Sequence, residues 1–283
     1  MIRRVGADAA RIAAAAVRQP QPGLLAMLWL VAYAGVRGDR LSAYDWSGSL
    51  LVTHGGTGVL LPEGGLWAPL RRRLAHAEEL AAFAAVTGLQ VLYADEDAPG
   101  TRCGARQLLD WMTAPEHREG TPPGDLSEDA GEGATEEKAA PDTQEKTPCV
   151  RLLQRYAPAA ELVCDGLPEA VKNDFYADLC LRRNRGLMQV PGLGPEESPD
   201  GCLAVSGPVL LGGRQYSYLS DLTVRPSCRG QGCGTALMRY ALHCAAGTPV
   251  LYCDPALTGY YAGMGFRRGG RVARITFPDT ETE

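Results

Sequence analysis

Residues 113–148 read TAPEHREGTPPGDLSEDAGEGATEEKAAPDTQEKTP and hold almost no large apolar side chain. A stretch so rich in Pro, Gly, Glu and Thr cannot bury enough surface to offset the entropy of ordering it. It therefore divides the chain into two blocks, 1–112 and 149–283, joined by a flexible acidic linker. The linker carries ten acidic and three basic residues, so of the chain's net charge of −5 the two blocks are left with about +2. Near-neutral blocks without a basic stripe argue against nucleic acid as a partner.

With 45% hydrophobic residues, both blocks can bury a core. The longest apolar run near the start, residues 24–36, is about thirteen residues, short of the roughly twenty that cross a bilayer. It reads as a buried helix, and no membrane association is expected. Asp8, Arg11 and Arg18 break up the segment after the basic start, so no secretion signal can be drawn there, and a cytoplasmic protein is expected. The nine cysteines are then reduced thiols, small hydrophobes of the core, with no Cys-x-x-Cys pair among them. His54, His76, His117 and His243 are scattered, and no metal site is expected.

The first block predicts helices at 7–18 and 24–36, strands at 41–46, 49–54 and 57–62, a helix at 66–86, a strand at 89–95 and a last helix at 105–112. The second block predicts a strand at 149–155, helices at 157–165 and 167–183, and a strand near 187–190. A hairpin of 201–211 and 214–224 follows, turning at Gly212 and Gly213. Next come a glycine-rich elbow and a helix with Cys233, Leu237, Tyr240, Ala241 and Cys244 on one face. A buried strand at 249–254, a short helix at 256–263 and a closing strand at 271–277 end the block. The similar element order predicts an α/β protein of α+β type, with two related folds in tandem.

The elbow lies in VRPSCRGQGCGTALM, residues 224–238, where Gly230, Gly232 and Gly234 alternate at the start of a helix. Glycine lets a chain turn tightly and present successive backbone N–H groups, which with a helix N-terminus make an anion cradle. Arg229 at its mouth and Arg225 nearby add donors suited to phosphate. A P-loop would need Gly-Lys followed by Ser or Thr, which is absent. A dinucleotide fingerprint starting at Gly230 would need glycine where Thr235 stands, and a parallel βαβ unit in place of the hairpin.

Here the sequence resembles the GNAT acyltransferases, which bind acetyl-CoA. Their signature, Arg or Gln, two residues, Gly, one residue, then Gly or Ala, is met by Arg229, Gly232 and Gly234, with Val224 and Pro226 as the family's V-x-P. A second element, Y-x-x-x-G-F, is met by Tyr261, Gly265 and Phe266. The resemblance covers residues 149–277. It implies the GNAT fold, a central mixed, mostly antiparallel twisted sheet flanked by helices, with a splay between two strands. Backbone groups of Leu222, Thr223 and Val224 would hold the pantetheine arm of acetyl-CoA, and those of Arg229, Gly230, Gln231, Gly232, Cys233, Gly234 and Thr235 its pyrophosphate.

The resemblance also implies catalytic roles. Tyr261 matches the tyrosine that protonates the departing thiolate, although Tyr260 beside it leaves the choice open. Asp221 lies near the family's glutamate base and would either take the amine proton or position the substrate. Strand alternation puts Tyr216, Tyr218 and Ser220 on the face opposite Asp221. Cys233 is expected in the core. The first block reads EGGLWAPLRRRL where an elbow would stand, without the signature, and so is expected to be a degenerate GNAT-like domain that shapes the acceptor side or forms a homodimer surface. The implied activity is acetyl transfer to an unidentified primary amine. The alternatives are a non-catalytic acyl-CoA sensor or adaptor and a protein-interaction module.

Overall fold

The computed structural model describes residues 2–5, 41–46, 49–54, 56–62, 74–96, 104–115, 149–211 and 214–278. The expected helices at 7–18 and 24–36, the first turns of the helix expected at 66–86, and residues 116–148 of the linker lie outside them.

In the first block, β1 (Ile2–Val5), β2 (Leu41–Trp46), β3 (Ser49–His54) and β4 (Thr57–Pro62) form an antiparallel meander. Leu50 and Val52 of β3 join Val59 and Leu61 in one core, while Leu51 and Leu60 point into another. Period-two alternation with both faces covered is why β3 reads as a continuous apolar run. Helix α1 (Leu74–Thr87) buries Leu80 and Ala84 and returns the chain to β5 (Val91–Asp95), which pairs parallel to β4.

The second block begins with β7 (Val150–Leu152), α2 (Ala157–Val163) and α3 (Glu169–Asn184), then the short strands β8 (Met188–Gln189) and β9 (Pro191–Leu193). The expected hairpin is formed by β10 (Gly201–Leu211) and β11 (Arg214–Val224). Helix α4 (Cys233–Cys244) carries the chain to β12 (Thr248–Cys253), parallel to β11, and α5 (Thr258–Ala262) precedes β13 (Arg267–Thr276). Leu203, Val205 and Leu219 pack under Met238 and Ala241 of α4, whereas Cys202 and Ala204 face α2 and α3. The sheet is thus covered on both sides by helices.

Each block repeats one unit: antiparallel strands, a helix and a parallel strand. Parallel neighbours need such a crossover, whereas antiparallel ones need only a turn. The repeat continues through β6 (Ala105–Thr113) and β13, but the two are exchanged. β13 lies against β5, from Val272 opposite Asp95 to Thr276 opposite Val91, and β6 lies against β12, from Val250 opposite Thr113 to Cys253 opposite Asp110. β6 and β13 pair with each other, which gives one sheet in the order β1-β2-β3-β4-β5-β13-β6-β12-β11-β10-β9-β7, with β8 on β10.

The helix expected at 105–112 is therefore wrong: the segment is the strand β6. Leu108, Leu109, Trp111 and Met112 suit a helix face as well as a strand, but hydrogen bonding to strands on both sides decides the matter. Its Asp110, only 2% exposed, accepts hydrogen bonds from Thr258 Oγ1 at 2.7 Å and Arg271 Nε at 3.0 Å, and pairs with Arg268 at 3.0 Å. No helix among the described residues is long and apolar enough to cross a membrane.

Because Ile275 of β13 packs in the first block's core with Leu51, Leu60 and Leu92, the two blocks should unfold together. Ile275→Ala is expected to cost about 2–4 kcal/mol. Urea titration should show one shifted transition for near- and far-ultraviolet signals; two separate transitions would contradict the exchange.

Candidate functional site

After Val224 the chain forms a 3-10 turn, Pro226–Cys228, and an extended Arg229. Gly230 and Gly232 both adopt φ of 77°, the second as the residue before α4. A Cβ at either would meet nothing within 4 Å, so the left-handed backbone, and not lack of space, selects glycine there. Gly234 differs: a Cβ there would lie 2.9 Å from the Tyr260 hydroxyl. Cys233, Gly234 and Thr235 occupy the first turn of α4, where N–H groups have no partner within the helix, while Ala236 N–H already bonds Gly232 O.

Arg229 Nε donates to Val224 O at 3.1 Å, which holds this arginine across the end of β11. Arg225 does not serve the elbow as expected. Its guanidinium donates to Pro199 O and Ser198 Oγ, each at 2.8 Å, and so anchors the loop before β10. Cys233 is 7% exposed, packed with Leu193 and Leu237, and burial raises its thiol pKa, the reverse of what a nucleophile needs.

β11 and β12 pair only from Tyr216 opposite Thr248 to Tyr218 opposite Val250. Beyond that β12 runs on against β6, while residues 219–224 keep only β10, so a wedge opens between the two parallel strands. The backbone of Leu222, Thr223 and Val224 edges this wedge, one strand end away from the elbow.

Within the wedge the β10–β11 register shifts. Cys202 stands opposite Thr223 and Ala204 opposite Ser220, so Asp221 and Leu222 together face the single residue Leu203. This is a β-bulge, and Asp221 takes φ of 57°, a left-handed conformation that costs a non-glycine residue about 1–2 kcal/mol. The bulge corrects the alternation argument. Tyr218, Ser220 and Asp221 line one cavity of about 300 Å³.

That cavity lies on the α3 side of the sheet. α3 contributes Asp178 and Arg182, which form an ion pair at 2.8 Å with Arg182 3% exposed. The first block adds Thr57 from β4 and Val91 and Tyr93 from β5, and the exchanged β13 adds Arg274. Tyr93 stacks on Tyr252 of β12 at 5.7 Å, and Tyr252 meets the Tyr218 ring edge-on at 6.2 Å. Asp221 remains open to solvent in this deep recess and accepts a hydrogen bond from Ser220 Oγ at 2.7 Å. Desolvation by the surrounding protein raises its carboxyl pKa, opposed by the Ser220 bond and the Arg182 charge.

Tyr261 lies on the other side. It is 7% exposed on α5, packs with Leu219, Leu251 and Phe266 beneath α4, and does not line the cavity. Burial pushes its phenol up to about 12, so the group is a neutral O–H donor near pH 7. Tyr260 and Tyr261 differ in orientation: Tyr261 is 7% exposed and packs inward, and Tyr260, 38% exposed, reaches toward Gly234 of the elbow. Asp221 and Tyr261 thus stand on opposite faces, with the wedge between them. No sequence motif marks Tyr93, Arg182, Tyr252 or Arg274; the alternation of RVARITF was the one signal that Arg274 faces away from its apolar neighbours.

Comparison with known proteins bears on the fold and on residues 201–268. A family model described as acetyltransferase (GNAT) domain matches residues 201–268. A rice protein described as probable glucosamine 6-phosphate N-acetyltransferase 2 is 36% identical over 81 residues, 27% of this chain and 49% of the relative, so the chain spans about half that protein's length. In fold, a solved chain described as a fungal multi-domain GH3 β-N-acetylglucosaminidase with a GCN5-related glucosamine N-acetyltransferase region aligns over 97% of this chain and 38% of that one, at 11% identity and a TM-score of 0.56. A Drosophila protein aligns over 98% of both chains at 13% identity and a TM-score of 0.53. Residues 201–268, from the β10–β11 hairpin through the elbow and α4 to the start of β13, match the GNAT acetyltransferase domain.

Proposed function

We propose that the protein transfers an acetyl group from acetyl-CoA to a primary amine by direct attack in a ternary complex. The observation that carries this reading is the wedge between β11 and β12, with the elbow at one end and the Asp221 cavity opening on its far side. The residues fit the proposed co-substrate: the open left-handed turn and the first amides of α4 suit a pyrophosphate, and the unpaired edge of residues 222–224 suits a peptide-like pantetheine arm. Acetyl-CoA would supply an activated thioester. Arg229 adds positive charge at the elbow mouth.

In this reading the acceptor enters from the α3 side. Its ammonium must be deprotonated before nitrogen can attack; the C–S bond breaks as the C–N bond forms. Two protons leave the nitrogen. Asp221, raised in pKa and held by Ser220, passes one to solvent, and Tyr261 delivers the other to the thiolate sulfur. The first block, with the same parallel pair but no Arg-x-x-Gly-x-Gly in 63–73, serves as a degenerate GNAT-like domain that walls the acceptor cavity. We take the blocks to be 1–112 and 149–283. The burial of Tyr261 favours a second reading, an acyl-CoA-binding sensor without catalysis.

Calorimetric titration should find one acetyl-CoA site per chain. Gly232→Asp, which sets a carboxylate in the cradle, should abolish that binding, and unchanged affinity would remove the elbow from its role. Tyr261→Phe should lower kcat at least tenfold with acetyl-CoA affinity intact; full thiol release would exclude Tyr261 as the acid. Asp221 acts only as the carboxylate, so its raised pKa moves the acid limb of kcat/KM upward, and activity falls as pH drops through it. Asp221→Asn should lose on the order of 10²–10⁴ in kcat together with that limb. An acid limb that persists at its wild-type position would assign it to the amine.

A further inference from the structure

We propose that the acceptor is a small amine that also carries an oxyanion, carboxylate or phosphate, held by Arg274 while its nitrogen faces Asp221. The inference rests on the acetyl-transfer reading and names the substrate class for that site.

Four charged side chains line the cavity: Asp178, Arg182, Asp221 and Arg274. Asp178 and Arg182 are paired with each other at 2.8 Å. What remains is one carboxylate and one guanidinium on separate strands, the charge pattern of a zwitterion in mirror image.

In the sheet Arg274 stands opposite Tyr93 on β5 and Gln107 on β6, with Asp95 two residues beyond Tyr93 on the same face of β5. Its Nε is buried and has no hydrogen-bond partner among the described residues. Holding a guanidinium donor away from water without an acceptor is costly, so a ligand oxygen is its natural complement. The planar fork of arginine matches carboxylate and phosphate oxygens in pairs. Tyr93 and Tyr218 line the same cavity as Asp221 and Arg274. A recess of about 300 Å³ is at the small end of ligand sites and suits a metabolite. A polyamine would set a second ammonium against Arg274.

The test uses the full chain with matched amines: phosphoethanolamine against ethanolamine, and β-alanine against β-alaninamide, with putrescine as the cationic control. Thiol release from acetyl-CoA gives KM and kcat, and calorimetry in the presence of CoA gives binding. The anionic member of at least one pair should bind at least tenfold more tightly, and which pair does so separates phosphate from carboxylate. Arg274→Gln should raise KM for that amine about 10–100-fold, the loss of a charge-assisted bond, with kcat within a few-fold. Arg274→Lys should restore part of the affinity, and unchanged acetyl-CoA binding by Arg274→Gln reports an intact fold. Should Arg274→Gln not fold, competition of propionate or inorganic phosphate with the amine in the wild type reads the same site. Preference for putrescine or the neutral amines, or an equal preference in Arg274→Gln, would overturn the proposal. Anion preference in binding without thiol release would keep the ligand class of the cavity and overturn the transfer reading, and with it the role of acceptor.

Discussion

The Asp110 carboxylate, nearly sealed from water, is where the two blocks are tied together. It sits on β6, a strand from the first block, yet everything that satisfies it comes from the second: Thr258 on α5, and Arg268 and Arg271 on β13. A buried carboxylate without such partners would be very costly, so this group fixes β6 in the place where β12 needs a neighbour. β13, pushed outward by one strand, completes the sheet of the first block. The cavity, with residues from both blocks, depends on that exchange.

Much of this was legible in the sequence. The hairpin of residues 201–224, the elbow and α4 carry strong local signals: alternation, two glycines in a dipeptide turn, then glycines at a helix start. Strands β2, β3 and β4 of the first meander were equally plain, whereas β1 was not anticipated. What was not legible is pairing across distance. Nothing in ARQLLDWMT says that it lies between two strands of the second block, and its spacing of Leu and Trp suits a helix as well.

The site divides along the same line. Glycines and the downstream tyrosine follow short motifs, so the elbow could be read. The orientation of Asp221 could not, because period-two reasoning holds only while the ladder stays in register, and one extra residue in β11 turns the carboxylate to the other face. Arg274, Tyr93 and Tyr252 come from three strands, of which β5 and β12 are not neighbours in the sheet. Such a constellation has no spacing to detect.

The exchange also bears on how the protein is made. β13 is the last strand in chain order, and it supplies both the neighbour of β5 and the guanidinium that lines the cavity. Until it leaves the ribosome, β5 and β6 each present an unpaired edge, the kind of surface that pairs wrongly or aggregates. The N-terminal block therefore cannot mature ahead of the C-terminal one, and the cavity takes shape only once β13 has joined the sheet.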